Sequence, residues 1–161
     1  MTIETDERCL AQIRRHEGAV RDSEGLHQAY ACPAGRLTIG YGHNLDAWPV
    51  LGLSGASHIS EDRAEALLRE DCARIASVLD AVIPWWRGLV PARQAVLLNM
   101  AFNLGTRGLM YFSRTLEAVR LGKWETARAE MLDSRWAQQA KRRAVELAAQ
   151  MQSGTWSEAE A

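Results

Sequence analysis

Glu17 is a carboxylic acid at an unusual place in a predicted helix. Helical spacing of apolar residues predicts a first helix that is capped by Thr5 and ends at Gly18, so Glu17 lies in its last turn. The C-terminus of a helix carries partial negative charge, which should help the Glu17 carboxyl to keep its proton. A carboxyl that stays protonated near neutral pH can serve as a general acid. A solvated surface glutamate is the competing interpretation.

The stretch Leu37–His43 predicts a strand with a bare face, because its strand-forming residues alternate with two glycines. A bare face allows a ligand or another backbone to approach closely. The turn Cys32–Gly35 precedes it, so we expect a short hairpin with arms 29–31 and 36–41 whose glycine-containing strand lines a cleft. An ordinary strand with glycines at bulges is the alternative.

Length, charge and composition limit the class of protein. A chain of 161 residues predicts one compact domain or two small lobes around one core, and a net charge of -1 does not favour nucleic acid as a partner. No apolar run reaches the roughly 18–20 residues that span a bilayer, so we expect no membrane insertion. The acidic N-terminus is not typical of a signal peptide, and three cysteines without metal-like spacing indicate reduced thiols. We therefore expect synthesis in the cytoplasm, no metal site and no cofactor.

Helical spacing predicts a long second helix from the cap Ser60 to Pro84. Asp71 lies on its apolar stripe, where an acid is rarely left unpaired, and His43 is its predicted partner. A third helix from Pro91 is apolar on every side and is therefore expected to be buried, with shorter helices after it. The predicted fold class is α+β, with a small α+β lobe (1–59), a connecting helix (60–83) and an all-helical lobe (84–161).

Several stretches resemble the phage-type lysozyme (endolysin) family, and within it most strongly the T-even phage lysozyme. They are Thr38–His43, Ile59–Asp71 and Asn99–Gly105, continued by Ser134–Trp136, Arg143–Ala144 and Ser153–Trp156. The resemblance follows almost the whole chain in order. It implies one lysozyme-like domain over 1–161 and a muramidase that hydrolyses the β-1,4 bond between N-acetylmuramic acid and N-acetylglucosamine of bacterial peptidoglycan.

The resemblance also implies a catalytic Glu at the end of the first helix, followed by an Asp or Cys and then by a Thr on the hairpin. Five residues separate Cys32 from Thr38, as in the family. The family places eight residues between the Glu and the Asp or Cys, whereas fourteen separate Glu17 from Cys32 and seven separate Glu24 from Cys32. We favour Glu17, with an insertion in 20–28, and keep Glu24 as the alternative acid.

In the role that the family implies, Glu17 protonates the leaving oxygen, and Thr38 holds a water between itself and Cys32. Cys32 could position this water or attack as a thiolate, and a packing cysteine is the alternative interpretation. The predicted substrate-binding residues are Asn103, Gln139, Arg143 and Tyr41, and Arg143 also matches a family arginine that pairs with the acid. For Asn99 we favour a hydrogen bond in helix packing over sugar binding. Trp124 and Trp136 should lie in the core, whereas Trp48 is the best candidate for stacking on a sugar.

The sequence leaves more than one class of function open. The first is an endolysin, which would be made in the host cytoplasm as a monomer and would reach the periplasmic cell wall after a separate pore-forming holin opens the membrane. The second is a lysozyme-fold peptidoglycan-binding or structural module without turnover. A lytic transglycosylase is a more distant third.

Overall fold

The computed structural model describes residues 1–161 and has the α+β architecture that the sequence predicts. Seven helices and five short strands are present. In chain order they are α1 (Glu7–Glu17), β1 (His27–Gln28), β2 (Tyr30–Ala31), β3 (Leu37–Ile39), β4 (His43–Asn44), β5 (His58–Ile59), α2 (Glu61–Val82), α3 (Pro91–Met110), α4 (Ser113–Arg120), α5 (Trp124–Leu132), α6 (Arg135–Ala140) and α7 (Arg142–Ser153). The strands β2, β3 and β4 form an antiparallel sheet, and β1 pairs with β5.

The first helix begins one residue later than predicted. Asp6 caps it in place of Thr5, because the Asp6 carboxylate accepts a hydrogen bond from the backbone N–H of Arg8. Thr5 belongs instead to a short 3-10 turn. Gly18, with a φ of 63°, ends the helix as predicted and leaves Glu17 as its last residue.

The glycine-containing stretch 37–43 is not one strand, so the prediction of a bare strand face was wrong. The strand β3 ends at Ile39, and Gly40 and Gly42 lie in the turn to β4 with φ values of 65° and 76°. A positive φ is strained for residues with a Cβ atom, so this turn requires glycine. The close approach is real but occurs at the turn: a Cβ atom on Gly40 would lie 3.2 Å from the Cβ of Ala64 in α2.

The predicted hairpin arms 29–31 and 36–41 are shorter in the structure, and a third strand extends the sheet. Within the segments 20–28 and 44–57, residues 27 and 28 form β1, and Asn44 belongs to β4. Strands of two residues are too short to show an alternating pattern, which is why the sequence does not reveal them.

The register of the sheet sorts its side chains onto two faces. Tyr30 pairs with Thr38, which in turn pairs with Asn44, so these three share one face. Ile39 pairs with His43 on the opposite face, which packs toward α2. The first face lies away from that cluster, and on it Thr38 is buried whereas Tyr30 and Asn44 are partly exposed.

Two hydrophobic clusters form the core. The smaller lies between the sheet and the first turns of α2, and the larger surrounds α3. Residues 95–101 of α3 are all buried, as its apolar pattern predicts, and Gly105 interrupts the helix with a φ of 76° and a ψ of 153°. The apolar face of α1 also belongs to the larger cluster, so the end of α1 is held by the helical part of the molecule.

The predicted partners His43 and Asp71 form a buried ion pair that attaches the sheet to α2. The Nδ1 of His43 lies 2.8 Å from Oδ2 of Asp71, and both side chains are 5% exposed. The Nε2 of His43 lies 2.9 Å from the carbonyl oxygen of Trp48, so both ring nitrogens face acceptors. Burial acts against the charge, but the contacts with Asp71 and the Trp48 carbonyl raise the pKa of His43 overall. Arg74 donates a further bond of 2.8 Å to Asp71.

The substitution Asp71→Asn tests this pair. Because the pKa of His43 is raised, its stabilisation is present below the unfolded value near ~6.5 and is lost as pH rises through the folded value. The free energy of unfolding should therefore fall by roughly 3–5 kcal/mol at about pH 5.5 and by clearly less at about pH 10. The cost that remains at alkaline pH belongs to Arg74. Glu70→Gln, an exposed neighbour on α2, is the control and should change stability by less than about 0.5 kcal/mol. An equal cost of Asp71→Asn at both pH values would show that His43 carries no charge in the pair.

Candidate active site

Three elements meet at the carboxyl group of Glu17. Its Oε1 accepts a hydrogen bond of 2.9 Å from Nη1 of Arg143, which lies in the first turn of α7. The two side chains are 17% and 9% exposed, so the ion pair is largely withdrawn from solvent. The turn from β3 to β4 covers the carboxyl closely, because a Cβ atom on Gly42 would lie 2.7 Å from Oε2 of Glu17. Position 42 therefore requires glycine for two reasons, its positive φ and the closeness of the Glu17 carboxyl.

Glu24, the alternative acid, lies in a different setting. It is exposed in a turn that Asp22 closes by accepting hydrogen bonds from the backbone N–H groups of Glu24 and Leu26. The Glu24 carboxylate has no hydrogen bond or ion pair within the protein. An antiparallel bridge between Arg21 and His27 closes the base of this turn, so the residues between them form a loop. The loop explains how the chain accommodates the long separation between Glu17 and Cys32.

Cys32 directly follows β2 and lies beside Thr38, on the face of the sheet that carries Tyr30 and Asn44. The Thr38 hydroxyl donates to the carbonyl of Arg36 at 2.9 Å, which leaves its oxygen lone pairs available to accept. The Cys32 thiol is partly exposed. The backbone amide of Arg36 lowers the pKa of Cys32 most, burial acts against this, and the backbone of Ala34 and the Thr38 side chain lower it further. The thiolate is therefore favoured relative to an ordinary cysteine.

Tyr30 lies on the same face of the sheet as Thr38, and it was not singled out from the sequence. Burial raises the pKa of Tyr30 most, and the charges of Glu17 and Cys32 raise it further. The signal in the sequence is the two-residue spacing of Tyr30 and Cys32 opposite Thr38, which places all three on one face.

Tyr41 is held by a charged cluster at the start of α2. Its hydroxyl donates to Glu61, accepts a bond of 3.2 Å from Arg21, and its ring meets His27 edge-on with centroids 4.9 Å apart. Burial acts against ionisation of Glu61, but hydrogen bonds from Tyr41, His27 and Arg21 lower its pKa to about 2. The predicted sugar contact of Tyr41 therefore depends on its ring, because its hydroxyl is already engaged.

The other predicted substrate contacts lie on the helical side. Asn103 accepts a hydrogen bond of 2.7 Å from Nε1 of Trp136, which leaves its amide NH2 without a partner in the protein. Gln139 is exposed on α6. Their role in binding substrate stays a prediction. Asn99 is fully buried and bonds to Arg143, which confirms the favoured packing interpretation.

The tryptophans follow the sequence prediction in part. Trp136 is buried and Trp124 packs against the larger cluster, as predicted for core residues. Trp48 is half exposed, and the guanidinium of Arg74 lies 3.9 Å from the centroid of its ring. One face of the Trp48 indole is therefore already covered by a cation.

No three His, Cys, Asp or Glu side chains are grouped so that they could hold a metal ion, and none of the helices has the length and apolarity needed to cross a bilayer. The site contains the Glu17 carboxyl, which can exchange a proton and is held by the permanently charged guanidinium of Arg143. A thiol of lowered pKa and a hydroxyl accompany it on the adjacent sheet. Such a set fits acid-assisted attack of water on a substrate held between sheet and helices.

A family model described as phage lysozyme matches residues 21–152 of this chain. The chain belongs to the phage lysozyme family. It is 33% identical to an endolysin of Acyrthosiphon pisum secondary endosymbiont phage 1, a match that covers 78% of this chain and 76% of that protein. It is 30% identical to the pre-baseplate central spike protein Gp5 of Enterobacteria phage T4 over 88% of this chain, which spans 29% of that protein. A probable T4-type lysozyme 1 of Dictyostelium discoideum is 24% identical, with 60% of this chain and 59% of that protein covered.

The range that matches the phage lysozyme model begins after α1. It includes Cys32, Thr38 and Arg143, whereas Glu17 lies just before it. The choice of the acid in this family member therefore depends on the geometry around Glu17.

The substitution Gly42→Ala tests how tightly the turn covers Glu17. Its Cβ would displace the Glu17 carboxyl in addition to straining a residue with a φ of 76°. Gly52→Ala is the matched control, because Gly52 has a φ of 84° and no atom within 4 Å of the added Cβ. Chemical denaturation should show a loss of roughly 1–2 kcal/mol for the control and roughly 1–3 kcal/mol more for Gly42→Ala. Equal losses would mean that Glu17 is not packed against this turn.

Proposed function

We propose that this chain is an endolysin-type muramidase that hydrolyses the β-1,4 bond between N-acetylmuramic acid and N-acetylglucosamine of bacterial peptidoglycan and thereby lyses the host cell. The observation that carries the proposal is the position of Glu17. Its carboxyl ends α1, pairs with Arg143 at 2.9 Å and is closely covered by the turn from β3 to β4. Membership of the phage lysozyme family supports the same chemistry.

In this reaction Glu17 donates its proton to the glycosidic oxygen as the bond to the anomeric carbon breaks. The carboxylate that results is paired by Arg143, which is always charged and therefore stabilises the product of proton transfer. Arg143 also fixes the direction in which the carboxyl points. The largely buried setting keeps solvent from competing for the proton.

Residues of the sheet carry out the second half of the reaction. A water that donates to the Thr38 oxygen and to the Cys32 thiolate is directed at the anomeric carbon, and the thiolate accepts a proton as the water adds. The lowered pKa of Cys32 favours the thiolate that this step needs. Direct attack by Cys32 is the variant of this mechanism.

A lysozyme-fold module without turnover is the second candidate. Two observations favour it: the fourteen residues between Glu17 and Cys32, and the similarity to a relative named as a spike protein. In that case the chain would bind peptidoglycan or serve as part of an assembly.

In the cell, we propose that the protein is made in the host cytoplasm as a monomer. It would act on the periplasmic wall after a separate holin has opened the membrane. This setting follows from the proposed activity, because the substrate lies outside the membrane.

The deciding experiment is loss of turbidity of chloroform-treated Gram-negative cells, with mass spectrometry of the released fragments. Products with a reducing-end muramic acid support the muramidase. Products with 1,6-anhydro ends indicate a lytic transglycosylase. Binding to the walls without loss of turbidity would support the module without turnover.

Glu17→Gln should reduce the rate of lysis by roughly 10²–10⁴-fold, because an amide cannot protonate the leaving oxygen. Glu24→Gln is the matched control and should lyse cells at nearly the wild-type rate, since the Glu24 carboxylate is exposed and unpartnered. Circular dichroism checks that both variants fold. The reverse pattern would assign the acid to Glu24.

Cys32→Asp should stay active, whereas Cys32→Ala should lose most activity. Thiol alkylation reports on the same residue selectively. Burial raises the pKa of Cys9 well above its usual value and that of Cys72 to about 12, so both resist the reagent. The reagent should therefore inhibit wild type and spare Cys32→Asp. An Asp variant without activity would show that the thiol itself is required, and a fully active Ala variant would reduce Cys32 to a packing residue.

A further inference from the structure

A chain of hydrogen bonds runs from the Glu17 carboxyl into the interior of the molecule. Arg143, which holds Glu17, donates from Nε to Oδ1 of Asn99 at 2.9 Å. The Nδ2 of Asn99 lies 3.0 Å from Nδ1 of His16. The other ring nitrogen of His16, Nε2, contacts the Glu146 carboxylate in α7. Five side chains from α1, α3 and α7 are thus joined in one line.

The direction of every bond in this chain follows from Arg143. A guanidinium can only donate, so the Asn99 atom that faces its Nε must be the amide oxygen. The amide NH2 then faces His16 and donates to Nδ1, which must be without a proton. The proton of the neutral imidazole is therefore on Nε2, where Glu146 accepts it.

We propose that His16 is a positioning residue for the reaction of Glu17. Its unprotonated Nδ1 sets the orientation of the Asn99 amide, and the Asn99 oxygen in turn aligns Arg143 on the Glu17 carboxyl. His16 touches neither substrate nor the reacting atoms. The inference rests on the proposed muramidase activity, but it makes a statement about the His16 tautomer that is measurable without turnover.

Protonation of His16 breaks this chain. A proton on Nδ1 would face the Asn99 NH2, so two donors would oppose each other. Either the contact with His16 opens, or the Asn99 amide turns over and presents its NH2 to Arg143, which cannot accept. In the first case the Asn99 amide is no longer held in place beside Arg143. In the second case Arg143 loses its hydrogen bond to Asn99.

Charged and polar side chains surround His16. Its partner Glu146 is shared with Arg15 at 2.9 Å, and Arg15 is also paired with Glu160 of the C-terminal segment. The neutral amide of Gln12 donates to the same carboxylate at 3.4 Å. On the side of α3, Asn99 contacts the ring, and Arg143 lies beyond it. The His16 side chain is 6% exposed, so water cannot replace a lost partner easily.

Two substitutions each preserve the contact of one imidazole nitrogen and remove the contact of the other. In His16→Asn, the side-chain oxygen takes the place of Nδ1 and can accept from Asn99. In His16→Gln, the side-chain NH2 takes the place of Nε2 and preserves the contact with Glu146. We expect kcat on soluble peptidoglycan oligomers to be about tenfold lower in His16→Gln than in His16→Asn, with similar KM. A general structural role would lower the stability of both variants and leave their kcat values equal.

Nuclear magnetic resonance tests the chain of hydrogen bonds directly. The ¹⁵N shifts of His16 in wild type at neutral pH should show Nδ1 without a proton and Nε2 protonated. In Asn99→Asp, a carboxylate oxygen would replace the NH2, and Nδ1 should become protonated.

A protonated Nδ1 in wild type, or equal kcat values in the two His16 variants, would overturn the inference, and the wild-type spectrum decides even if a variant fails to fold. If wild type shows no turnover, the proposed function fails. The tautomer of His16 in wild type and in Asn99→Asp then still establishes or refutes the chain of hydrogen bonds from His16 to Arg143.

Discussion

The ion pair between Glu17 and Arg143 is the interaction on which the site depends. It joins the last residue of α1 to the first turn of α7, two elements separated by most of the chain. Both partners are largely buried, so each needs the other to offset the cost of removing a charge from water. The glycine turn after β3 can approach the pair closely only because Gly42 has no side chain. The placement of the acid and the close approach of the sheet therefore both involve this pair, while Gln12, Arg15 and His16 add further contacts between α1 and α7.

A second buried pair sets the position of the sheet relative to the helices. His43 lies on the face of the sheet opposite to Thr38 and is bonded to Asp71 in the middle of α2. Because side chains alternate along a strand, fixing His43 toward α2 turns Thr38 to the other face. The orientation of the residues that would hold water is thus a consequence of an ion pair on the far side of the same sheet.

The sequence predicted those parts of the structure that long periodic patterns or local chemistry determine. The helix capped by Ser60 and the buried helix from Pro91 are present as predicted, because many apolar positions repeat along them. The pairing of His43 with Asp71 followed from an acid on an apolar stripe. The bare strand face was wrong, since alternating glycines in a strand and glycines in a turn give the same pattern until φ values are known.

The candidate site was predictable mainly where a resemblance supplied the spacing. Cys32, Thr38 and Arg143 came from that source, whereas Glu17 stood out by its place in the last turn of a predicted helix and does not fit the family spacing. The role of His16 could not be predicted, because its partners Asn99 and Glu146 lie 83 and 130 residues away. No local pattern connects such positions. Tyr30 was missed for a different reason, since a tyrosine in a strand is ordinary until the register places it opposite Thr38.

The most direct test of this account is a crystal structure of Glu17→Gln with a bound peptidoglycan oligomer. The account predicts that the side-chain amide of residue 17 lies within about 2.6–3.2 Å of a glycosidic oxygen, with a water between Cys32 Sγ and Thr38 Oγ1 on the opposite side of the sugar. An oligomer that places its glycosidic bond beside Glu24, or that binds away from the sheet, would contradict it.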